Sequence, residues 1–133
     1  MKRFYFLSLL LLLSACALPG NFGPDLDKSS SNFSEAMRWR DYVGAAYFLE
    51  VAARDSFLQQ FQDDNLFIVD SRITAITVDE SMASASADYL LEYYLLPSNQ
   101  IKKWHWRQQW QLPEKNTDSD SFWRIVNAPP AFP

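Results

Sequence analysis

The amino-acid sequence predicts an α+β domain, with helices first and a meander of about four antiparallel strands after them. Three observations predict it. Apolar residues recur at helical spacing between residues 32 and 62, and the period changes to two from residue 66. Turn-forming residues then separate the alternating stretches, and helices followed by strands define the α+β class. A length of 133 residues supports one such domain and not two.

The elements follow in order. Residues 16–31 hold two glycines, two prolines and a serine run, and read as a flexible tether. A coil of that length reaches on the order of 20 Å. The domain is expected to span residues 32–133. Asn32 stands three residues before Glu35, the spacing of a capping box, and Phe33, Ala36 and Met37 continue at helical spacing. Asp41 is placed to restart the helix, with Tyr42, Ala45, Ala46 and Leu49 on one side. Gly44 in that helix either lowers its stability by about 1 kcal/mol or permits a close approach. A third helical stretch, 52–62, puts Phe57, Leu58 and Phe61 together.

Residues 66–79 are rich in β-branched types, as a strand requires. Residues 83–96 place Ala85, Ala87, Tyr89, Leu91, Tyr93 and Leu95 on one face. Residues 100–112 alternate most cleanly: Trp104, Trp106, Trp110 and Leu112 face one way, and Lys103, His105, Arg107, Gln109 and Gln111 the other. Residues 97–99 and 113–121 supply turns, and a short last strand over 122–126 precedes a proline-rich stretch, 128–133.

Composition narrows the function classes. One cysteine excludes an internal disulfide and any multi-cysteine metal cluster, and one histidine excludes His-rich metal centres. No cofactor is expected. The net charge of −4 argues against a nucleic-acid binder that neutralises phosphate.

Lys2 and Arg3 precede an apolar run from Phe4 to Leu13. Ten residues of helix cover about 15 Å, roughly half a bilayer's hydrocarbon core, so the run reads as a signal-peptide core and not a span. It ends in Leu13-Ser14-Ala15-Cys16, which resembles the bacterial lipobox at every position. The resemblance implies cleavage between Ala15 and Cys16 and acylation of Cys16 by palmitate-type chains, with residues 1–15 as the signal peptide. The alternative is an ordinary secretory signal in which Cys16 is incidental. Several acyl chains on one residue anchor a protein firmly to a membrane. Ala17, where inner-membrane lipoproteins carry Asp, implies the outer membrane, facing the periplasm, if the source is Gram-negative. Two of the 12 basic residues would leave with the signal while all 16 acidic ones stay, so the mature chain carries −6. The lipid, and not the surface charge, is then the membrane contact.

The helix Asp41-Tyr42-x-x-Ala45-Ala46-x-Phe48-Leu49, the Tyr93-Tyr94 strand and Gln108-Gln109-Trp110 followed by Trp123 resemble the nuclear transport factor 2-like, or cystatin-like, superfamily. That resemblance covers about residues 32–126 and implies helices packed on a curved, cone-like sheet. Enzymes of this superfamily hold an Asp or His base and a Tyr or Asp donor in the cavity between sheet and helices. The candidates here are Asp41, Tyr42, Asp70, Asp88, Tyr93 and His105, with Trp106 as a lining residue.

Each candidate has a plainer reading. Asp41 suits a helix cap, and Asp88 alternates opposite the apolar face of its strand. His105 shares its face with Lys103 and Arg107, whose charge disfavours an imidazolium there. The Trp104, Trp106 and Trp110 stripe is either an aromatic ligand wall or the core face of a strand. Lys103, Arg107, Gln109 and Gln111 form either a protein-contact surface or a wet sheet face. The sequence thus points to a membrane-anchored envelope lipoprotein with a non-catalytic binding or assembly role and an envelope protein as candidate partner. A small-ligand carrier or cavity enzyme is the alternative, favoured if an interior Asp or His meets Tyr42 or Tyr93. A third reading is a structural lipoprotein that contacts the cell wall or an outer-membrane barrel.

Overall fold

The structure, a computed structural model, describes residues 24–81, 83–113 and 122–133; the signal segment, Ala15 and Cys16 lie outside the described residues. Three helices, α1 (Pro24–Arg38), α2 (Tyr42–Ala46) and α3 (Val51–Gln60), precede four strands. These are β1 (Leu66–Val78), β2 (Ser84–Leu95), β3 (Lys102–Gln111) and β4 (Arg124–Ile125), paired antiparallel in the order β1-β2-β3-β4. The α+β class and the meander expected from the pattern are what the chain forms.

The first helix departs from expectation. It begins at Pro24, so the tether reading fails from that residue on, and Asn32 sits inside the helix instead of capping it. Proline suits the first turn of a helix, where its missing N–H has no partner to lose. Leu26, Phe33 and Met37 lie on one helical stripe and are fully buried. A serine lowers helix stability by roughly 0.5 kcal/mol, whereas burying one leucine contributes about 1.5–3 kcal/mol. Packing therefore outweighs the serine run. Ser30 Oγ also donates to the Asp27 carbonyl at 3.1 Å, which satisfies its hydroxyl within the helix.

Arg40 ends α1 in the left-handed region, at φ 59°. The Arg40 N–H donates to the Met37 carbonyl at 3.1 Å and the Asp41 N–H to the Ala36 carbonyl at 2.8 Å, the paired bonds of a Schellman turn. An arginine tolerates this backbone because its side chain is used. Arg40 Nη1 donates to the Leu66 carbonyl at 3.2 Å, and the guanidinium lies 5.1 Å from the Phe67 ring centroid. Asp41 then caps α2, its Oδ1 accepting the Gly44 N–H at 2.9 Å. A Cβ at Gly44 would sit 2.7 Å from the Asp41 Cγ, so the glycine makes room for the capping carboxylate and not for the sheet. In α3, Phe57 is buried and Phe61 follows at its end, as the spacing predicts.

One face of the sheet is dry. Tyr93, Leu91, Tyr89, Ala87 and Ala85 of β2 are buried in line with Trp104, Trp106, Gln108 and Trp110 of β3. The other face carries cross-strand rows: Phe67 with Tyr94, Glu92 with Lys103, Leu90 with His105, Asp88 with Arg107, and Ser86 with Gln109. Two register shifts, between Ile68 and Asp70 and between Ile73 and Ala75, bend β1.

The two edges of the sheet are treated differently. At one, β4 pairs with β3, and Leu49 forms a parallel bridge to Ile125. The Ile125 N–H donates to the Phe48 carbonyl at 2.7 Å and the Glu50 N–H to the Ile125 carbonyl at 3.1 Å. The Asn127 amide covers more of β3, accepting from the Gln109 N–H at 2.7 Å and donating to the Arg107 carbonyl at 2.8 Å. At the other edge, among the described residues, β1 has only β2 beside it.

The Asp41–Gly44 contact predicts non-additive stability effects. Asp41→Ala should lower stability by about 1 kcal/mol. Gly44→Ala should be close to neutral in the natural chain, since about 1 kcal/mol of helix propensity is gained as the cap is displaced. In the Asp41→Ala background the same change should stabilise by about 1 kcal/mol. Urea unfolding of the four proteins checks this, and simple additivity would contradict it.

Candidate functional site

The sequence candidates divide between the two sides of the sheet. Tyr42, Tyr93 and Trp106 lie on the helix-covered side, where an aromatic array fills the interior. Tyr42 stacks on Phe61 at 5.0 Å, and Trp104 meets Phe61 edge-on at 5.8 Å. Phe132, from the proline-rich stretch, packs on Phe61 at 4.8 Å, Tyr93 at 4.7 Å and Trp104 at 5.5 Å. Its N–H donates to Gln60 Oε1 at 2.8 Å, which holds the stretch against α3. Trp106 is 2% exposed and packs against Phe33, Phe57 and Trp104, so it belongs to the core and is not a ligand wall.

His105 is corrected in the other sense. It is exposed on the outer face, paired in register with Leu90, because its neighbours Trp104 and Trp106 take the inward positions. It lines no cavity. Asp41 is the α2 cap, and Asp88 is exposed on the outer face. Among the described residues no Asp, Glu or His side chain bonds Tyr42, whose hydroxyl is buried and unpartnered. Tyr89 Oη instead shares a 2.7 Å hydrogen bond with Ser71 Oγ. Burial pushes the Tyr42, Tyr89 and Tyr93 phenols up from their ordinary value, offset in part by Arg40 at Tyr42 and by the Ser71 bond at Tyr89. All three stay protonated at neutral pH. No group of three or more His, Cys, Asp or Glu able to hold a metal occurs among the described residues.

One concave feature is not among the sequence candidates. A groove of about 480 Å³ runs between α1 and the free edge of β1. Asp27, Ser30, Ser31, Ser34, Glu35 and Arg38 form its helical wall, and residues 71–76 form the other. These helix positions follow the three-and-four spacing of one face, beside the stripe that enters the core. Asp27, Ser30 and Ser31 lie in the segment that reads as a tether, so the spacing they share with Ser34, Glu35 and Arg38 is not read as one helical face. Ser34 is 9% exposed, and its hydroxyl has no hydrogen-bond partner.

A charged lattice closes one end of the groove. Arg38 Nη2 donates to Asp70 Oδ1 at 2.9 Å and to the Ser71 carbonyl at 3.0 Å. Asp70 also pairs with Arg72, which reaches Glu92 at 3.4 Å, and Lys103 lies 3.6 Å from Glu92. Partial burial pushes the Asp70 carboxyl up, but the Arg72 and Ser71 hydrogen bonds and the Arg72 and Arg38 charges outweigh it. Its pKa therefore lies below the ordinary carboxylate value. Lys103 is thus engaged with Glu92 on a charge-balanced face, closer to a wet sheet face than to a free basic patch.

No family model and no curated protein sequence matches the chain. Among solved structures, the chain is similar to the TraE protein in complex with 2-(2-furyl)isonicotinic acid. The two share 12% identity at a TM-score of 0.50, over 80% of this chain and 95% of TraE. That likeness is one of fold, a layout of helices and an antiparallel sheet common to both chains.

A depressed Asp70 pKa means that its contribution to stability is complete above the ordinary carboxylate range and fades as pH falls through the lower folded value. Asp70→Asn should therefore lower stability at neutral pH, by up to about 1 kcal/mol for partly exposed pairs. The difference from the natural chain should close in acid. Urea unfolding of both proteins against pH checks it, and a difference that does not vary with pH would contradict it.

Proposed function

We propose that the chain is a lipid-anchored protein of the bacterial envelope whose single domain has a non-catalytic binding or assembly role. The observation that carries the non-catalytic part is the filled interior. Phe61, Phe132, Tyr93 and Trp104 touch where a cavity enzyme of this layout would place substrate, and the buried Tyr42 hydroxyl meets no carboxylate or imidazole. The TraE protein is described with a small heteroaromatic acid. A carrier that held a small ligand between sheet and helices would need an open interior, and here the rings lie in contact with one another.

The anchoring part is supported by Leu13-Ser14-Ala15-Cys16 after the apolar run. Acylation of Cys16 and retention at the outer membrane, consistent with Ala17, follow from that reading. Because α1 begins at Pro24, only seven residues separate the lipidated cysteine from the folded domain. Fully extended, they span less than about 30 Å, so the domain works close to the membrane surface.

The test is Cys16→Ser in a bacterial host fed labelled palmitate. The natural chain should carry label and sediment with membranes. The variant should lose the label and appear in the soluble fraction. Unchanged membrane association of the variant would overturn the anchor.

A further inference from the structure

The chain enters the domain at one end of the sheet. Arg38 bonds the Ser71 carbonyl and Arg40 the Leu66 carbonyl, so the last turn of α1 lies at the start of β1. Asp27, about 16 Å earlier along the helix, lines the same groove as Ile76, so α1 runs antiparallel to β1. Pro24 therefore lies toward the end where Val78 pairs with Ala85, Ser84 with Gln111 and Gln111 with Arg124. An exposed apolar patch shares that end. Val51, 68% exposed, borders a hollow with Gln111 and Arg124. Tyr47, half-exposed, stacks on Phe122 at 5.0 Å, and Val43, 73% exposed, lies one turn before it. Arg54 stands 5.7 Å from the Tyr47 ring centroid and Arg124 4.6 Å from that of Phe122. Their charge is offset by the exposed Glu50 and Asp55 on either side of Val51 and Arg54, and by Asp79 and Glu80 after β1. Ala45, Ala46 and Leu49 fill the interior side of the same stretch, so the core does not account for Val43, Tyr47 and Val51.

We infer that this end of the domain rests on a phospholipid surface of no net charge, with Val43, Tyr47, Val51 and Phe122 at the headgroup level. The inference rests on the anchored reading proposed above and deepens it by naming the face that meets the membrane. The chain ahead of the domain names the occupant. With Cys16 in the bilayer, the seven residues before Pro24 reach less than about 30 Å, and they leave from the end that carries the patch. So short a link sets an effective concentration on the order of millimolar, and a contact too weak to hold a free domain then holds a tethered one. A tyrosine suits the headgroup layer, with its ring against the apolar edge and its hydroxyl wet. The carboxylates at this end oppose an anionic surface, whereas Arg54 and Arg124, beside the rings, are placed to meet the phosphate of a zwitterionic headgroup. Trp39, Leu96 and Ile101, also exposed, lie at the opposite end of the sheet, beside Arg40, Leu95 and Lys102.

The experiment places the acylated chain, with valine and isoleucine methyl groups labelled, in phosphatidylcholine nanodiscs that carry a nitroxide lipid. NMR signals of Val43, Val51 and the Tyr47 ring should broaden, while those of the Trp39 indole and Ile101 stay sharp. Val51→Asp, at an exposed position, should reduce the broadening at Tyr47 by about twofold or more. Uniform broadening, broadening at Trp39 and Ile101 instead, or no effect of Val51→Asp would overturn the inference. So would shielding of Val43 and Val51 from a soluble paramagnetic agent in Cys16→Ser that rises with protein concentration, which would assign the patch to a second copy. An acylated chain that stays on the nanodisc without broadening at Val43 and Val51 sinks this inference alone. A chain that carries no acyl group sinks the anchor reading with it.

Discussion

The aromatic face of β3 is the feature on which the remaining structure depends. Trp104, Trp106 and Trp110 stand on one side of a single strand, and α1, α3 and the turn after α2 reach them. Phe33 of α1 lies 6.0 Å from Trp106 and 6.4 Å from Trp110, and Phe57 of α3 lies 6.5 Å from Trp106. Phe48, after α2, packs on Trp110 at 6.4 Å. Each buried aromatic side chain removes 150–250 Å² from water, on the order of 5 kcal/mol of transfer free energy. The Trp104 and Trp106 indole N–H groups and Gln108 Nε2 are buried without partners, at about 1–3 kcal/mol each. Burial wins over that penalty at the tryptophans. At Gln108 part of it is recovered, because its Oε1 accepts from Trp110 Nε1 at 3.0 Å.

The same packing explains which parts of the fold are legible in the sequence. Strand periodicity survives because the sheet has one dry face, so β1, β2 and β3 end within a few residues of their expected limits. Asp41 is readable as a cap because its chemistry is local. The start of α1 is not readable that way. Its serines and Pro24 have weak or negative helix preference, and burial of Leu26 and Phe33 in the core, with Phe33 against Trp106 and Trp110 of β3, outweighs it. Gln108 breaks the apolar alternation yet is fully buried, and Phe132 enters the core from a stretch without regular structure. Both depend on long-range partners that no local window contains.

The candidate site was hidden for the same reason. Its helical wall is formed by Asp27, Ser30, Ser31, Ser34, Glu35 and Arg38, and these share a face only once residues 24–31 are helical. The sequence candidates cluster instead in the interior or, like His105, on the wet face. Interior tyrosines whose pKa values burial raises, and whose hydroxyls bond no carboxylate or imidazole among the described residues, are packing groups carrying hydroxyls. A filled interior moves any binding role to the surface, where one sheet edge is covered by β4 and Asn127 while the other borders a groove.

The central claim is that the space between sheet and helices is solid core and not an open cavity. The five tryptophans test it directly, because Trp39 is 73% exposed while Trp104, Trp106, Trp110 and Trp123 are each at most 5% exposed. NMR of the indole N–H groups with a soluble paramagnetic agent should broaden the Trp39 signal alone. Broadening of Trp104 or Trp106 as well would mean that solvent enters the interior, and the account would fail.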